Sequence, residues 1–350
     1  MHNEQIVLSY EELTIKTKQL LNHLKVPENE SAILTDTLLD AEIRGTYSHG
    51  LIRLPFYEKR ILSGAIKVPT SLDIVKEKEA VSVIDGNDGL GTTISHFAMV
   101  KAISKAKKYG VGISSVRNSQ HFGTAGYYAN LATRDDMIGL VFTNASPRLA
   151  PWGGVDTMLG NNPWSIALPT SDPELPFVLD LSNSIVAAGK IRKAAELGKT
   201  IPDGWALDSQ GNPTNDPYEA LRGVLLPMGM HKGYGITLAI SLLTSGLSDG
   251  VWDIDVNPID EINKTQRVSH LFIAINIDFF LDINKFKSFI EEKIVMLRNS
   301  KKVNGVEKIF FPGERGGISR KIALKDGVKL NLNSFKEVMR IAEKYNLNFL

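Results

Sequence analysis

The stretch of this chain best suited to chemistry is Arg117–Tyr128, where one histidine, His121, stands among small, polar and glycine residues. Apolar, β-rich sequence precedes it (Val111, Ile113, Val116), and a helix-like run, Ala125–Thr133, follows. The histidine is therefore expected where a strand hands over to a helix. A helix N-terminus offers unpaired N–H donors and the positive end of a dipole. Such a place can hold a carbonyl-bearing anion and keep an imidazole ready for acid–base work. The plain alternative is a histidine in a capping loop with no chemistry. A second histidine lies in Ser48-His49-Gly50, at the joint of two helix-like runs, with Arg53 one turn on. His49 could act there as acid or base, and Arg53 could clamp a carboxylate through two parallel hydrogen bonds. The alternative is a turn histidine and a surface arginine.

Three further motifs suggest ligand contact. Val81–Asp85 reads as a strand, Gly86-Asn-Asp-Gly-Leu-Gly91 as a loop and Thr92–Tyr109 as an amphipathic helix, the layout of a phosphate cradle. Its glycines are spaced GxxGxG, the reverse of the dinucleotide fingerprint. No acidic residue closes a second strand about 20 residues on, and Asp88 would oppose a phosphate. A tight turn is the expectation. Asp180 ends the apolar strand Phe177–Leu181; it could orient an imidazole, hydrogen-bond a ribose, or N-cap the run Asn183–Ala195. Leu225–Gly235 leads into an apolar helix, Ile236–Leu247. Its glycines allow a close backbone approach, and Lys232 could ride on a phosphate, although this is not a Walker loop.

The elements that must position these residues follow from periodicity and caps. Ser9 and Glu12 form a capping box, and helices are expected from there to Leu24, over Glu28–Arg44 and over Leu51–Leu62. Strands are expected at Met137–Thr143, Ser165–Leu168 and Leu271–Ile277, and another at Ile309–Arg315, ending in a turn. Asn284–Asn299 reads as a helix, and Ser334 and Glu337 as a capping box for Phe335–Tyr345. At 350 residues, 43% of them hydrophobic, the chain can bury a sizeable core. A net charge of +1 with scattered Lys and Arg excludes an obvious nucleic-acid or membrane-binding face. The absence of cysteine excludes disulfides, thiolate metal sites and cysteine nucleophiles, and the histidines show no HxxxH or HxH pair, so no metal is expected. No apolar run reaches the roughly 18 residues of a membrane span, and the polar, acidic start is unlike a signal peptide; the expectation is a cytoplasmic protein.

Taken together and in order, the motifs resemble the type 2 malate/lactate dehydrogenase family, which includes ureidoglycolate and sulfolactate dehydrogenases, diketogulonate reductases and cyclic-imine reductases. The matching pieces begin with Arg44-Gly45, Ser48-His49-Gly50, Asp85-Gly86, Asn118–Tyr128, Asn144, Ala150–Gly154 and Gly160–Pro163. They continue with Asp180–Ser182, Gly189–Ile191, Ile201–Asp208, Leu225–Met228, His231–Gly235 and Phe311–Glu314, and so span nearly the whole chain.

The resemblance implies an α/β fold that is not a Rossmann fold. A central domain with a mixed sheet (76–315) would bind NAD(P), and a helical domain would form from residues 1–75 and 316–350. It implies a homodimer with the substrate between domains near the subunit interface. It implies hydride transfer between the nicotinamide and C2 of a small 2-hydroxy or 2-oxo acid. His121 matches the family's proton acceptor, His49 a proton donor, and Arg53, beside Ser48, the contact for the substrate carboxylate. Asn144, Ala145, Asp180, Leu181, Ser182, Lys232, Gly233, Gly313, Glu314 and Arg315 match cofactor-binding segments. With neither an acidic ribose reader nor a basic phosphate pocket visible in the sequence, the reading leans to NAD over NADP. Alternatives are a cyclic-imine reductase on the same scaffold and a non-catalytic cofactor-binding protein. Arg148 departs from the small or apolar residues usual between Pro147 and Pro151; facing the site, it could take a second carboxylate or a cofactor phosphate.

Overall fold

A computed structural model describes residues 6–330 and 332–347. Its centre is a seven-stranded mixed sheet in the order Asp73–Lys78, Val81–Asp85, Val111–Ser119, Val268–Asn276, Met137–Thr143, Trp164–Leu168, Phe177–Leu181. One pair is parallel, Val81–Asp85 with Val111–Ser119, and the helix Gly91–Tyr109 supplies the crossover that a parallel pair needs. The other pairs are antiparallel. Helices Gly91–Tyr109 and Ala125–Thr133 pack onto this sheet around Ile94, Ala98, Val116, Tyr128, Val141 and Phe272. Two strand glycines allow the approach. A Cβ on Gly112 would stand 1.9 Å from the Ala102 carbonyl oxygen, and one on Gly139 2.1 Å from that of Ala129. The loop after Val81–Asp85 is the expected tight turn, closed by Gly89 N–H on the Gly86 carbonyl, with Asn87 and Asp88 left-handed.

A second core belongs to the helices Tyr10–His23, Glu28–Ile43, Leu54–Leu62 and Leu332–Lys344, which bury Leu13, Leu20, Leu34, Leu38, Leu54 and Ile341 together. Ser9 caps the first helix, its hydroxyl accepting from Glu12 N–H at 3.0 Å. Buried Glu58 latches the C-terminal helix, accepting from Lys344 Nζ at 2.6 Å and the Tyr345 hydroxyl at 2.9 Å. A third, smaller cluster (Leu149, Leu159, Ile191, Ile201, Leu225) underlies a three-stranded sheet of two-residue strands. Among the described residues no helix is long and apolar enough to cross a membrane.

The helix His231–Ser248 packs the reverse of the usual way. It buries Thr237, Ser241, Thr244, Ser245 and Ser248 and exposes Ile236, Leu242, Leu243 and Leu247.

Several elements depart from their expected bounds. That helix starts at His231 rather than Ile236, because Met230 takes a left-handed φ and Gly233, lacking Cβ, closes against the Met228 carbonyl. The helix expected from Asn183 begins at Ala188, so Asp180 is not its N-cap. Residues 183–185 stay extended because Ile185 N–H donates to Leu226 O, and Asn183 O accepts from Met228 N–H. Ile309–Arg315 is no strand: Pro312 has no N–H to continue a ladder, and only its carbonyl is used, accepting from Val178 N–H. Leu51–Leu62 splits into a 3-10 turn, Leu51–Arg53, and a helix from Leu54 with Pro55 in its first turn. Ser334 is not an N-cap; it lies buried inside Leu332–Lys344, its hydroxyl unpartnered.

Candidate active site

His121 follows the strand Val111–Ser119, and its backbone is clamped from several sides. A Cβ on Gly91 would lie 2.3–2.4 Å from the Gln120 and His121 carbonyl oxygens, so the crossover helix starts directly against this loop. Gln266 Oε1 accepts the His121 N–H at 3.0 Å. Gln120, fully buried, accepts from Arg60 and from Gln266 N–H, and donates to the Ala65 carbonyl. Arg60, buried on the helix Leu54–Leu62, also donates from its two terminal nitrogens to the carbonyls of Ile259, Glu261 and Lys264, while its Nε is buried without a partner. Beneath the loop, His270 on the central strand stacks on Phe122 at 4.5 Å, held between Ser119 Oγ and Thr143 Oγ1.

The helical unit brings His49 to the same place. The two imidazoles stack with centroids 5.6 Å apart and planes 17° from parallel. Each has its Nδ1 engaged: His49 with Ser48 Oγ at 3.0 Å, His121 with the Tyr57 hydroxyl at 2.9 Å. No hydrogen-bond partner among the described residues reaches either Nε2. Arg53 is braced by its Nε donating to the Ser48 carbonyl at 2.6 Å, and its guanidinium lies over Phe56.

Both rings keep an edge in solvent while protein encloses the rest. Desolvation, then the Arg53 charge, lowers His49 from 6.5 to about 4. The same two causes, followed by His49, lower His121 well below 6.5. Both imidazoles are therefore neutral bases in the free protein. Burial raises the Tyr57 hydroxyl and keeps it protonated.

Adjacent to this pair opens a cleft of about 670 Å³ lined by Thr124, Gly126, Asp180, Phe311, Gly313 and Arg315, among others. Gly126 N–H donates to Asp180 Oδ2 at 2.8 Å, so the carboxylate sits at the N-terminus of Ala125–Thr133. Asp180 is open to the cleft on one side and crowded by protein on the other; desolvation raises it to about 6 against the pull of that N–H. Arg315 makes no ion pair among the described residues and packs near Phe310. A carboxylate acceptor, an uncommitted guanidinium and the open glycine walls at Gly45 and Gly316 are a donor set that suits ribose hydroxyls and a pyrophosphate.

The other candidate residues lie around this centre in differing states. Leu181 is exposed, and the Ser182 hydroxyl lies 3.3 Å from that of Ser184. Lys232 is exposed in the first turn of its helix, next to buried Gly233. Asn144 is buried, and its side chain is spent on Ser245, Val251 and Ser269 N–H. Ala145 N–H donates to Asn162. The Glu314 carboxylate, 2% exposed, is committed to Arg298, Lys308 and Phe311 N–H. Arg148 is part-buried and bonds through its backbone to Leu159 and Leu225.

Residues 8–339 match the malate/L-lactate dehydrogenase family. The chain belongs to this family. It is 38% identical over 340 residues to a malate dehydrogenase of Pyrococcus abyssi, covering 95% of this chain and 93% of that one. It is 39% identical over 331 residues to an L-sulfolactate dehydrogenase of Methanocaldococcus jannaschii, covering 94% of each. The malate dehydrogenase structure from Entamoeba histolytica superposes with a TM-score of 0.93 at 32% identity, over 99% of both chains. The protein is thus a nicotinamide-dependent oxidoreductase of 2-hydroxy acids. Among more distant relatives, names specify both NADP(+) and NAD(+).

Sequence reasoning about this dehydrogenase missed Tyr57, Arg60, Gln120 and Gln266. Tyr57 touches His121 across a separation of 64 residues, so no local pattern signals it. The nearest signal is its place one turn beyond Arg53 on an apolar helix.

Proposed function

We propose that this dehydrogenase interconverts a small 2-hydroxy acid carrying a second anionic group, of the malate or sulfolactate type, with its 2-oxo acid, using His121 as the proton-transferring residue. The observation that carries the reading is the stacked imidazole pair, each Nδ1 held and each Nε2 free, beside Arg53. Arg53 takes the substrate carboxylate and so fixes C2 and its oxygen. Arg192 adds a second positive charge close enough to act on Arg53, which favours a substrate with a second anion.

In the oxidation direction, neutral His121 accepts the hydroxyl proton at Nε2. In that tautomer Nδ1 already carries its proton and donates to the Tyr57 oxygen, a bond that strengthens once the ring is charged, while the Tyr57 hydroxyl donates to the His121 carbonyl 3.3 Å away. This chain of donors suits a charged imidazole. The substrate's negative charge offsets Arg53 and lifts the depressed His121, so the base strengthens as the site fills. Stacking against His49 disfavours a second cation, so one ring takes the proton at a time. The bound nicotinamide supplies the hydride acceptor or donor; Asp180, the Gly126 turn and Arg315 would hold the cofactor in the cleft.

The apolar face of His231–Ser248 supports a homodimer with a second copy of the chain covering Leu242, Leu243 and Leu247. The separate helical core supports a division into residues 1–75 with 316–350, and 76–315.

The test mixes purified protein with NADH or NADPH and a 2-oxo acid, and follows loss of reduced-nicotinamide absorbance. Oxaloacetate or sulfopyruvate is expected to turn over faster than pyruvate. His121→Ala is expected to lose about 10²–10⁴ of the rate. Near wild-type turnover in that variant would overturn the assignment.

A further inference from the structure

Beyond the cleft described above, the cavity continues. A second pocket of about 450 Å³ shares Arg44 and Asn130 with it and is also lined by Thr133, Arg134 and Arg320. The two spaces lie at opposite ends of one helix: Thr124 and Gly126 open the first, Thr133 and Arg134 the second. At about 1.5 Å rise per residue, the helix Ala125–Thr133 runs roughly 13 Å along the joined cavity, with Asn130 lining both parts. That length suits the reach of an extended dinucleotide from its nicotinamide, near His121, to its adenosine ribose.

The charges in this second pocket are unevenly matched. Asp40 holds Arg44 through both carboxylate oxygens and lies 3.9 Å from Arg320. Glu174 pairs with Arg320. Asp136 pairs with Lys287, which comes from another helix. Arg134 is left with no side-chain hydrogen bond or ion pair among the described residues. It is solvent-exposed and lines the pocket, near enough for its charge to act on His96 and Tyr127. Asn130 and Thr133 add neutral hydrogen-bonding groups on the same side. A pocket with an uncommitted guanidinium, two others at its rim and small polar groups between them suits a phosphate monoester, which arginine binds through paired hydrogen bonds.

We infer that this pocket takes the 2′-phosphate of NADP(H), with Arg134 as the residue that selects it over NAD(H). The inference rests on the cleft at Asp180 and Arg315 being the cofactor site, and it reverses the lean to NAD. That lean rested on the lack of a visible basic phosphate pocket. Arg44, Arg134 and Arg320 are far apart in the sequence and become one pocket only when the helical unit docks on the sheet.

The test is direct binding, without turnover. Dissociation constants for NADPH and NADH are measured from reduced-cofactor fluorescence on the wild-type protein, Arg134→Ala and Arg134→Lys. Calorimetric titration with 2′,5′-ADP and with 5′-ADP serves as a second readout. Wild type is expected to favour NADPH by about tenfold or more, and Arg134→Ala to lose about tenfold for NADPH and 2′,5′-ADP. NADH and 5′-ADP should change little, and Arg134→Lys should fall between. Wild type favouring NADH would overturn the proposal. So would an equal loss for both cofactors in Arg134→Ala, which would assign the arginine to the shared pyrophosphate or to general attraction. Binding of neither cofactor would overturn the cofactor reading of the cleft, and this proposal with it. Binding of both with the wrong preference would leave that reading standing and remove only Arg134's role.

Discussion

Replacing Tyr57 by phenylalanine isolates one atom of the proposed proton chemistry. The ring is buried, 2% exposed, and packs against His121 at a centroid distance of 5.9 Å; phenylalanine keeps that packing and removes only the hydroxyl. What is lost is the acceptor for the Nδ1–H, whose bond becomes charge-assisted once Nε2 takes the transferred proton. A hydrogen bond to a charged group contributes about 1.5–3 kcal/mol. At about 1.4 kcal/mol per factor of ten, kcat for oxidation of the 2-hydroxy acid should fall roughly ten- to a hundredfold. The loss should stay inside the 10²–10⁴ or so that general base catalysis as a whole supplies.

The pH profile separates this role from simple damage. In the free enzyme His121 is held low by burial and by Arg53, so kcat/KM for oxidation should stay flat as pH falls through the ordinary histidine range, and drop only below it. Losing the Tyr57 hydroxyl destabilises the protonated ring further. The acid limb of kcat/KM should therefore move to lower pH while the plateau falls. The assay is steady-state reduction of the nicotinamide across pH, with urea unfolding as a control for the fold. A plateau within about two-fold of wild type with an unmoved acid limb would refute the reasoning. A fall in plateau without movement of the limb would leave Tyr57 a packing residue.

Other perturbations follow from the same geometry. Arg53→Gln should raise KM for the 2-hydroxy acid by roughly a hundredfold, the scale for losing one partner of a desolvated charge pair, and leave cofactor affinity in direct titration unchanged. Gly139→Ala should lower the urea-unfolding free energy by about 2–3 kcal/mol, because the new methyl meets the Ala129 carbonyl at 2.1 Å and the helix must lift off the sheet; a change below about 0.5 kcal/mol would show that the sheet yields there. His270 should make the wild type acid-sensitive. Burial lowers it from 6.5 to about 3, so the unfolded chain binds a proton that the folded chain refuses across that window. Stability contributed by this residue is then lost on acidification, at about 1.4 kcal/mol per pH unit below 6.5. His270→Gln should flatten the slope by that amount in urea titrations at stepped pH.

How much of this was legible in the sequence depends on the range of the interaction that decides it. The strands Met137–Thr143 and Phe177–Leu181 and the helix Ala125–Thr133 emerge with the bounds that periodicity assigned them, because their burial pattern is local. The start of the helix at His231, the extended stretch after Asn183 and the loop at Pro312 did not emerge. Each is set by a carbonyl or N–H on a segment far along the chain, or by a proline that cannot continue a ladder. His49, Arg53 and His121 stood out because their neighbours are unusual. Tyr57 and Gln266 did not, because an apolar helix and a loop give no local reason to single them out.

The site also explains why its parts lie on two separate cores. His49, Arg53 and Tyr57 ride on the helical unit, while His121 rides on the sheet. Among the contacts that dock the two are those that hold the His121 loop: Arg60 on Gln120, Gln120 on Ala65, Tyr57 on His121. Any motion that separated the units would remove the Nδ1 partner of His121 and pull Arg53 from the ring it depresses. Opening would therefore both relax the imidazole toward its ordinary pKa and discard the group that holds the substrate. A proton transfer confined to the docked state needs no further gate, since the same hydrogen bonds that close the units create the base.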